Sequence, residues 1–128
     1  GTWKLNLAKS KYSPGPPPKS QTVTYEAVGQ GVKVTVKGTN AEGKPIDTLS
    51  TANFDGKDYP VTGNADWDTI VRKRINAYKM EMTRKKAGKV VSTATSVVSK
   101  DGKTRTVTEK GVNAKGEKIS NTLVYEKQ

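Results

Sequence analysis

The chain begins Gly1-Thr2-Trp3-Lys4-Leu5-Asn6-Leu7, a stretch in which apolar and polar side chains alternate with a period of two. Trp3, Leu5 and Leu7 fall on one side of this alternation, which is typical of a strand with one buried face. The simplest interpretation is a first strand that contributes a tryptophan to the core, since large aromatic side chains are usually buried. A more specific hypothesis is that Trp3 closes one end of a barrel.

The same alternation continues along the rest of the chain. Val32, Val34 and Val36 alternate with lysine and threonine, which predicts a strand with one solvent-exposed face. Turn signals such as Asp55-Gly56 and Asp101-Gly102 separate these stretches, because Asp-Gly readily adopts the positive φ of tight hairpins. The spacing predicts about nine or ten short strands, no convincing helix, and either a β-sandwich or a β-barrel.

Residues 8–20 break this pattern with four prolines and a glycine. Proline removes a backbone donor and clashes with the preceding helical turn, so the segment is predicted not to form a helix. A stiff extended or polyproline-like strap is expected instead.

Several positions that alternate toward the inside of the sheet carry small or weakly polar side chains. A dry sandwich core needs larger aliphatic side chains, whereas a barrel lumen tolerates hydroxyl groups that water or a ligand can satisfy. The composition therefore favours a barrel, and the alternative is that the threonines face solvent as good strand formers. The positions are Ser92, Ala94 and Ser96, alternatively Thr93 and Thr95, and then Thr104, Thr106 and Thr108.

The two ends of the chain resemble a known superfamily. Gly1-Thr2-Trp3 is similar to the Gly-x-Trp opening strand of the calycins, which comprise the lipocalins and the intracellular fatty-acid-binding proteins. Leu123-Val124-Tyr125-Glu126-Lys127 resembles the last strand of the fatty-acid-binding branch. The chain looks like a bacterial lipocalin-like domain. The resemblance implies one domain over residues 1–128, an antiparallel up-and-down β-barrel of about 8–10 strands that holds a small apolar molecule.

Two departures from the fatty-acid-binding branch limit what the resemblance implies. In that branch the closing strand bears an Arg-x-Tyr pair that holds the ligand carboxylate. Here Tyr125 matches the tyrosine, but Leu123 stands in the arginine's place. The branch also has a helix-turn-helix lid after the first strand, where this chain has the proline-rich residues 8–20. The carboxylate-binding pair is therefore not carried over as a whole.

The chain contains no histidine and no cysteine. Transition-metal sites draw mainly on these two residue types, so no metal site is predicted, and a catalytic site that needs either residue is excluded. The sequence has no glycine-rich phosphate loop, and no cofactor is predicted. No apolar run approaches the length of a membrane span. Because the chain starts without methionine, we expect a processed protein that is secreted or periplasmic.

Basic residues outnumber acidic ones by 23 to 12, which gives a formal net charge of +11. The densest part is Arg72-Lys73-Arg74 together with the lysines and arginine of the next predicted hairpin, and such a field attracts anions or anionic surfaces. A nucleic-acid partner is disfavoured, because aromatic side chains do not interleave with this basic patch as stacking platforms would. The alternative is a solvated strand face that prevents aggregation. The hairpin contributes Lys79, Arg84, Lys85, Lys86 and Lys89.

The orientation of one strand decides where two arginines lie. If Ile70, Arg72 and Arg74 face inward, their guanidinium groups enter the lumen and can hold a carboxylate or phosphate. If Val71 and its neighbours in phase face inward, both arginines are outside. The apolar count favours this second orientation, although a shift of one residue reverses it.

The leading hypothesis is a non-enzymatic binder of a small apolar or amphipathic molecule, including an anionic one. The first alternative is a small barrel enzyme, such as a hydrolase, isomerase or lyase, that uses tyrosine, carboxylates and arginine. It requires a buried carboxylate near a tyrosine in the lumen, from Glu26, Asp47, Glu81 or Glu109. The second alternative is a basic surface binder of polyanions with a packed interior. The predicted ligand contacts are Trp3, Tyr25, Tyr78 and Tyr125 in the lumen, Tyr59 and Trp67 at the mouth, and Arg72 and Arg74 for an anionic group.

Overall fold

The computed structural model describes residues 1–64, 66–113 and 115–128, and its strands form one antiparallel sheet of eleven strands. A three-residue 3₁₀ turn covers Leu7–Lys9, and the described residues contain no longer helix. None of the helical structure in these ranges is long and apolar enough to cross a membrane. The strands are β1 (Thr2–Leu5), β2 (Lys11–Ser13), β3 (Ser20–Val28), β4 (Gly31–Thr39), β5 (Pro45–Asn53), β6 (Tyr59–Thr62), β7 (Thr69–Arg74), β8 (Lys79–Lys86), β9 (Lys89–Val98), β10 (Thr104–Val112) and β11 (Lys118–Lys127).

The sheet closes on itself as a barrel of ten strands. From β3 to β11 each strand pairs with the next, and β1 joins the two ends because it pairs with β3 on one edge and β11 on the other. Trp3 lies opposite Val23 in the first pairing and opposite Lys127 in the second. Closure leaves these ten strands without a free edge, which is the usual solution for an all-β domain of this size. The predicted up-and-down barrel is confirmed, and the sandwich alternative is wrong.

The eleventh strand, β2, lies outside this ring. It pairs with the first half of β11, on the edge that β1 occupies further along the strand. The 3₁₀ turn interrupts the extended chain between β1 and β2, and the prolines follow directly after β2. Residues 8–20 thus contain the end of the 3₁₀ turn and the strand β2, and no regular secondary structure between Ser13 and Ser20. Gly15 has a φ of 73°, so the expected continuous extended strap is wrong.

The small side chains of β9 face inward as one of the two sequence alternatives required. Ser92, Ala94 and Ser96 are buried, whereas Thr93 is exposed. On β10 the prediction that the threonines face inward is wrong, because Val107 is the buried position and its neighbours in phase are Arg105 and Glu109. Threonine and charged residues alternate along β10, so local hydrophobicity did not distinguish its two faces.

Candidate functional site

The barrel encloses a cavity of about 620 Å³ that is open at one end. The mouth of the cavity is bordered by the proline-rich segment after β2, by the turn between β4 and β5, and by the loop between β6 and β7. Pro16 and Pro18 belong to the first of these borders and Trp67 to the last. The interior is therefore not the packed core that the surface-binder alternative required.

The wall of the cavity combines apolar, aromatic and polar side chains from most strands of the barrel. Such a mixture, mainly apolar with a few polar groups, is typical of a site for a small molecule. The wall includes the apolar residues Val23, Val34, Val36, Ile70, Met82, Val107 and Leu123, the aromatic residues Tyr12, Tyr25, Trp67 and Tyr125, and the polar residues Gln21, Thr48, Ser50, Arg72, Arg84 and Glu109.

The end of the barrel away from the mouth is filled by a stack around Trp3. The Arg105 guanidinium carbon lies 4.8 Å from the centre of the Trp3 ring and 4.3 Å from that of Tyr25. Arg105 also donates a hydrogen bond of 2.6 Å to the hydroxyl of Ser96. Cation–π contacts on two faces stabilise a guanidinium away from water. Trp3 thus belongs to the packing that closes this end, as the more specific hypothesis required.

Arg72 is buried in the lumen, with an exposed fraction of 3%. Ile70 lies inside with it, so the orientation of β7 that the apolar count favoured is wrong. The count failed because it assumed that an arginine faces solvent. The partner strand β8 instead supplies Met82 opposite Arg72, and the guanidinium Nη1 lies 3.2 Å from the Met82 sulfur and 3.9 Å from that of Met80.

The buried charge of Arg72 is not compensated by a neighbouring carboxylate. Within the described ranges Arg72 has no ion-pair partner, and its Nε has no hydrogen-bond partner. Burial lowers the pKa of Arg72 from 12.5 to about 10. Tyr25 raises this pKa by a smaller amount, and the positive charges of Arg84 and Arg105 lower it slightly further. The group remains protonated at neutral pH, so the cavity wall carries an unpaired cation.

A second polar cluster lies on β8, β10 and β11. Arg84 forms a short ion pair through its Nη1 with Glu109 Oε2, and the other oxygen of Glu109 accepts a hydrogen bond of 3.0 Å from the Asn121 amide. The Arg84 guanidinium carbon lies 4.9 Å from the centre of the Trp67 ring at the mouth. Both charges of this cluster are therefore paired, unlike that of Arg72.

Two tyrosines complete the polar part of the wall. The Tyr125 hydroxyl accepts a hydrogen bond of 2.7 Å from the Gln21 amide, and burial raises the Tyr125 pKa well above its usual value. Burial also raises the pKa of Tyr12 to about 12, with a further contribution from the negative charge of Glu109. Both phenols are protonated at neutral pH.

The structure brings four of the eight predicted contacts together around the cavity: Tyr25, Trp67, Arg72 and Tyr125. Trp3 lies further from the mouth than these four residues, in the stack with Arg105.

The remaining three predicted contacts do not line the cavity. Tyr78 lies in the turn between β7 and β8 and is 49% exposed. Arg74 is in phase with Arg72, but it lies at the end of β7, beyond the buried residues of that strand, and is exposed. The Arg74 guanidinium carbon lies 4.4 Å from the centre of the Phe54 ring. Tyr59 begins β6 opposite Ile70, and its hydroxyl donates to Asp55 at 2.6 Å. It is not among the residues that line the cavity, so it does not border the mouth beside Trp67 as predicted.

Sequence reasoning missed Tyr12 and Asn121 and counted Arg84 with the surface patch. The signal for Arg84 was present, because it follows Met80 and Met82 in phase along β8. Arg72 and Arg84 both line the lumen, so neither belongs to the basic surface patch that the sequence predicted. Lysines therefore make up more of that patch than expected. Tyr12 gave no such signal, since its position depends on β2 pairing with β11.

Of the four carboxylates considered for catalysis, only Glu109 lines the cavity. Glu26, Asp47 and Glu81 are exposed on the outside of the barrel. Glu109 lies near Tyr12, as the enzyme hypothesis required, but both of its oxygens are already engaged. Among the described residues no group of three or more metal-binding side chains occurs.

No family model and no curated protein matches this chain. A solved structure of a redesigned β-barrel, mFAP1, bound to DFHBI, is similar to it, with a TM-score of 0.46 and 12% sequence identity. The similarity covers 96% of this chain and 91% of that one.

Proposed function

We propose that this protein binds a small amphipathic anion in the cavity of the barrel, with Arg72 as the residue that holds the anionic group. The observation that carries the proposal is the unpaired guanidinium of Arg72, which is 3% exposed and, within the described ranges, donates only to two methionine sulfurs. A fixed guanidinium matches a carboxylate or phosphate bidentately, so an anion supplies the missing partner.

The energetics support an anionic ligand over a neutral one. A buried charge without a partner is unfavourable, and the lowered pKa of Arg72 reflects this. An anion that enters the cavity removes this cost and also gains a hydrogen bond to a charged group, which contributes about 2 kcal/mol. A neutral ligand of the same shape leaves the charge of Arg72 without a partner.

The remainder of the wall accounts for the amphipathic character of the ligand. Ile70, Val107 and Leu123 provide aliphatic surface, and Tyr25 and Trp67 provide aromatic surface. The volume of about 620 Å³ lies within the range of small-molecule sites. This function agrees with the resemblance of the two chain ends to the calycins, with Arg72 of β7 in place of the arginine that the closing strand lacks.

Matched ligands and matched variants test this proposal. We expect decanoate to bind at least about 30-fold more tightly than decanol, which follows from about 2 kcal/mol for the charged hydrogen bond. Arg72→Met should abolish that difference, whereas Arg74→Met, which alters an exposed arginine of the same strand, should preserve it. Isothermal titration calorimetry measures both affinities. Equal binding of the acid and the alcohol by the wild-type protein would contradict the role of Arg72.

Native mass spectrometry of the protein as purified provides an independent measurement. An additional mass that disappears on denaturation identifies a bound molecule, and the proposal requires this molecule to be acidic. The enzymatic alternative has less support, because both oxygens of Glu109 already accept hydrogen bonds, from Arg84 and Asn121.

A further inference from the structure

Arg84 lies nearer the mouth of the cavity than Arg72. β7 and β8 pair with Arg72 opposite Met82 and with Ile70 opposite Arg84. Arg84 is therefore offset from Arg72 by two residues in the direction of the loop that contains Trp67. At about 3.4 Å per residue, this offset is about 7 Å along the strand. The cavity wall thus has two cationic positions at different depths.

The two positions differ in charge balance. Glu109 neutralises Arg84 through their ion pair, and the Asn121 amide donates to the second carboxylate oxygen. A full anion placed here would lose its hydration beside Glu109 without a free cation to compensate. The outer position is therefore unsuitable for a second carboxylate, and it differs in this respect from Arg72.

Two hydrogen-bond donors at the outer position have no partner. The Tyr12 hydroxyl and the Arg84 Nε are both buried, and neither makes a hydrogen bond to any residue in the described part of the chain. Tyr12 lies opposite Asn121 in the pairing of β2 with β11, and Asn121 lies opposite Glu109 in the next pairing. The Tyr12 hydroxyl and the Arg84 Nε therefore lie beside the ion pair of Arg84 with Glu109, on the side of the cavity formed by β8, β10 and β11.

The protonation of these donors fixes what they can bind. The raised pKa of Tyr12, about 12, keeps its phenol protonated at neutral pH, and the guanidinium Nε–H only donates. Buried donors without partners are unfavourable and are rare in native proteins. A neutral acceptor such as a hydroxyl or carbonyl oxygen satisfies them without adding charge.

We propose that the ligand carries two functional groups, an anionic group at Arg72 and a neutral hydrogen-bond acceptor at an outer subsite formed by Tyr12 and Arg84. This inference rests on the proposed function and narrows it to oxygenated amphipathic acids, namely hydroxy acids and oxo acids. Plain alkanoates satisfy only the inner position. Dicarboxylates place a second charge beside Glu109, where none of the described cations is free.

A positional series of ligands tests the outer subsite. Calorimetric titrations with decanoate, decanedioate and hydroxydecanoates that carry the hydroxyl at successive carbons are compared for wild type, Tyr12→Phe and the control Tyr78→Phe. One hydroxyl position should bind roughly fivefold more tightly than decanoate, the gain expected from one additional hydrogen bond. Tyr12→Phe should remove this gain, which is the ratio of the hydroxydecanoate and decanoate affinities of the same variant. Tyr78→Phe, at an exposed position, should retain the gain.

The outcomes separate the two proposals. If decanoate binds but no hydroxydecanoate binds more tightly, or if the gain persists in Tyr12→Phe, the outer subsite is refuted and the inner site at Arg72 stands. Tightest binding by decanedioate would also refute it, because the outer position would then accept a charge. If none of the acids binds, the proposed function fails and the outer subsite fails with it.

Discussion

Arg72→Met should make the ligand-free protein more stable. The guanidinium is buried between the sulfurs of Met80 and Met82 and has no carboxylate partner among the described residues. Methionine fills the same space with an unbranched side chain and carries no charge. Most substitutions of buried residues destabilise a protein, so a stabilising effect at this position is a specific expectation.

The magnitude follows from the pKa of Arg72. A decrease from 12.5 to about 10 corresponds to about 3 kcal/mol, at about 1.4 kcal/mol per pK unit. The folded-state pKa is below the unfolded-state value, so at neutral pH both states are protonated and this cost is fully present. Between pH 10 and 12.5 the unfolded state binds more protons than the folded state. The free energy of unfolding of the wild type therefore increases with pH in this range, and its difference from that of the variant becomes smaller.

Urea denaturation at neutral pH, in protein freed of ligand by unfolding and refolding, measures the effect. We expect a gain of about 3 kcal/mol and a rise of roughly 10 °C in the thermal midpoint. The control Arg74→Met removes an exposed guanidinium above Phe54 and should lose about 0.5–1 kcal/mol. If Arg72→Met instead loses more stability relative to wild type than Arg74→Met does, the Arg72 guanidinium stabilises the fold. That result would refute the argument for an uncompensated charge.

Three further predictions concern other parts of the barrel and its titration. Glu109→Gln should destabilise the protein by about 2 kcal/mol in urea, because it leaves a second guanidinium unpaired, whereas Glu81→Gln, on the exposed side of β8, should change stability by less than about 0.5 kcal/mol. Gly63→Ala and Gly88→Ala both place alanine at a positive φ, but of the two only Gly63 has a backbone oxygen, that of Asp47, against the added Cβ position. Gly63→Ala should therefore cost about 2 kcal/mol more than Gly88→Ala in thermal denaturation, and equal losses would contradict the close approach. Decanoate affinity, measured by tryptophan fluorescence, should be constant near neutral pH and decrease as pH rises above about 10, because the Arg72 guanidinium then loses its proton; an affinity unchanged at that pH would exclude Arg72 as the anion-binding group.

The site shows where local pattern was sufficient and where it was not. Tyr25 was predicted in the lumen because it lies in phase with Val23 and Ala27. Tyr125 was predicted from the resemblance of the last strand, and both tyrosines line the cavity. Arg72 was named as a contact, but the preferred orientation of its strand was wrong, since hydrophobicity does not predict a buried arginine. Tyr12 was missed because β2 belongs to a segment whose prolines and glycine indicated a strap and not a strand.

The sequence by itself determined the all-β class, the succession of hairpins and the exclusion of chemistry that needs histidine or cysteine. These follow from residue type and from a period of two, which are local properties of the chain. Closure of the barrel required the pairing of β1 with β11, in which Leu5 lies opposite Tyr125. That contact joins residues distant in sequence, so no local pattern specifies it.

Only the tertiary structure decided which face of each strand lines the cavity and which charges are paired there. A strand of alternating charged and small residues has two faces that differ little in hydrophobicity, and a shift of one residue exchanges them. The pairing of neighbouring strands fixes that choice, and with it the separation of a paired Arg84 from an unpaired Arg72. The proposed anion site therefore depends on the partners of each arginine, because a buried charge without a partner is unfavourable.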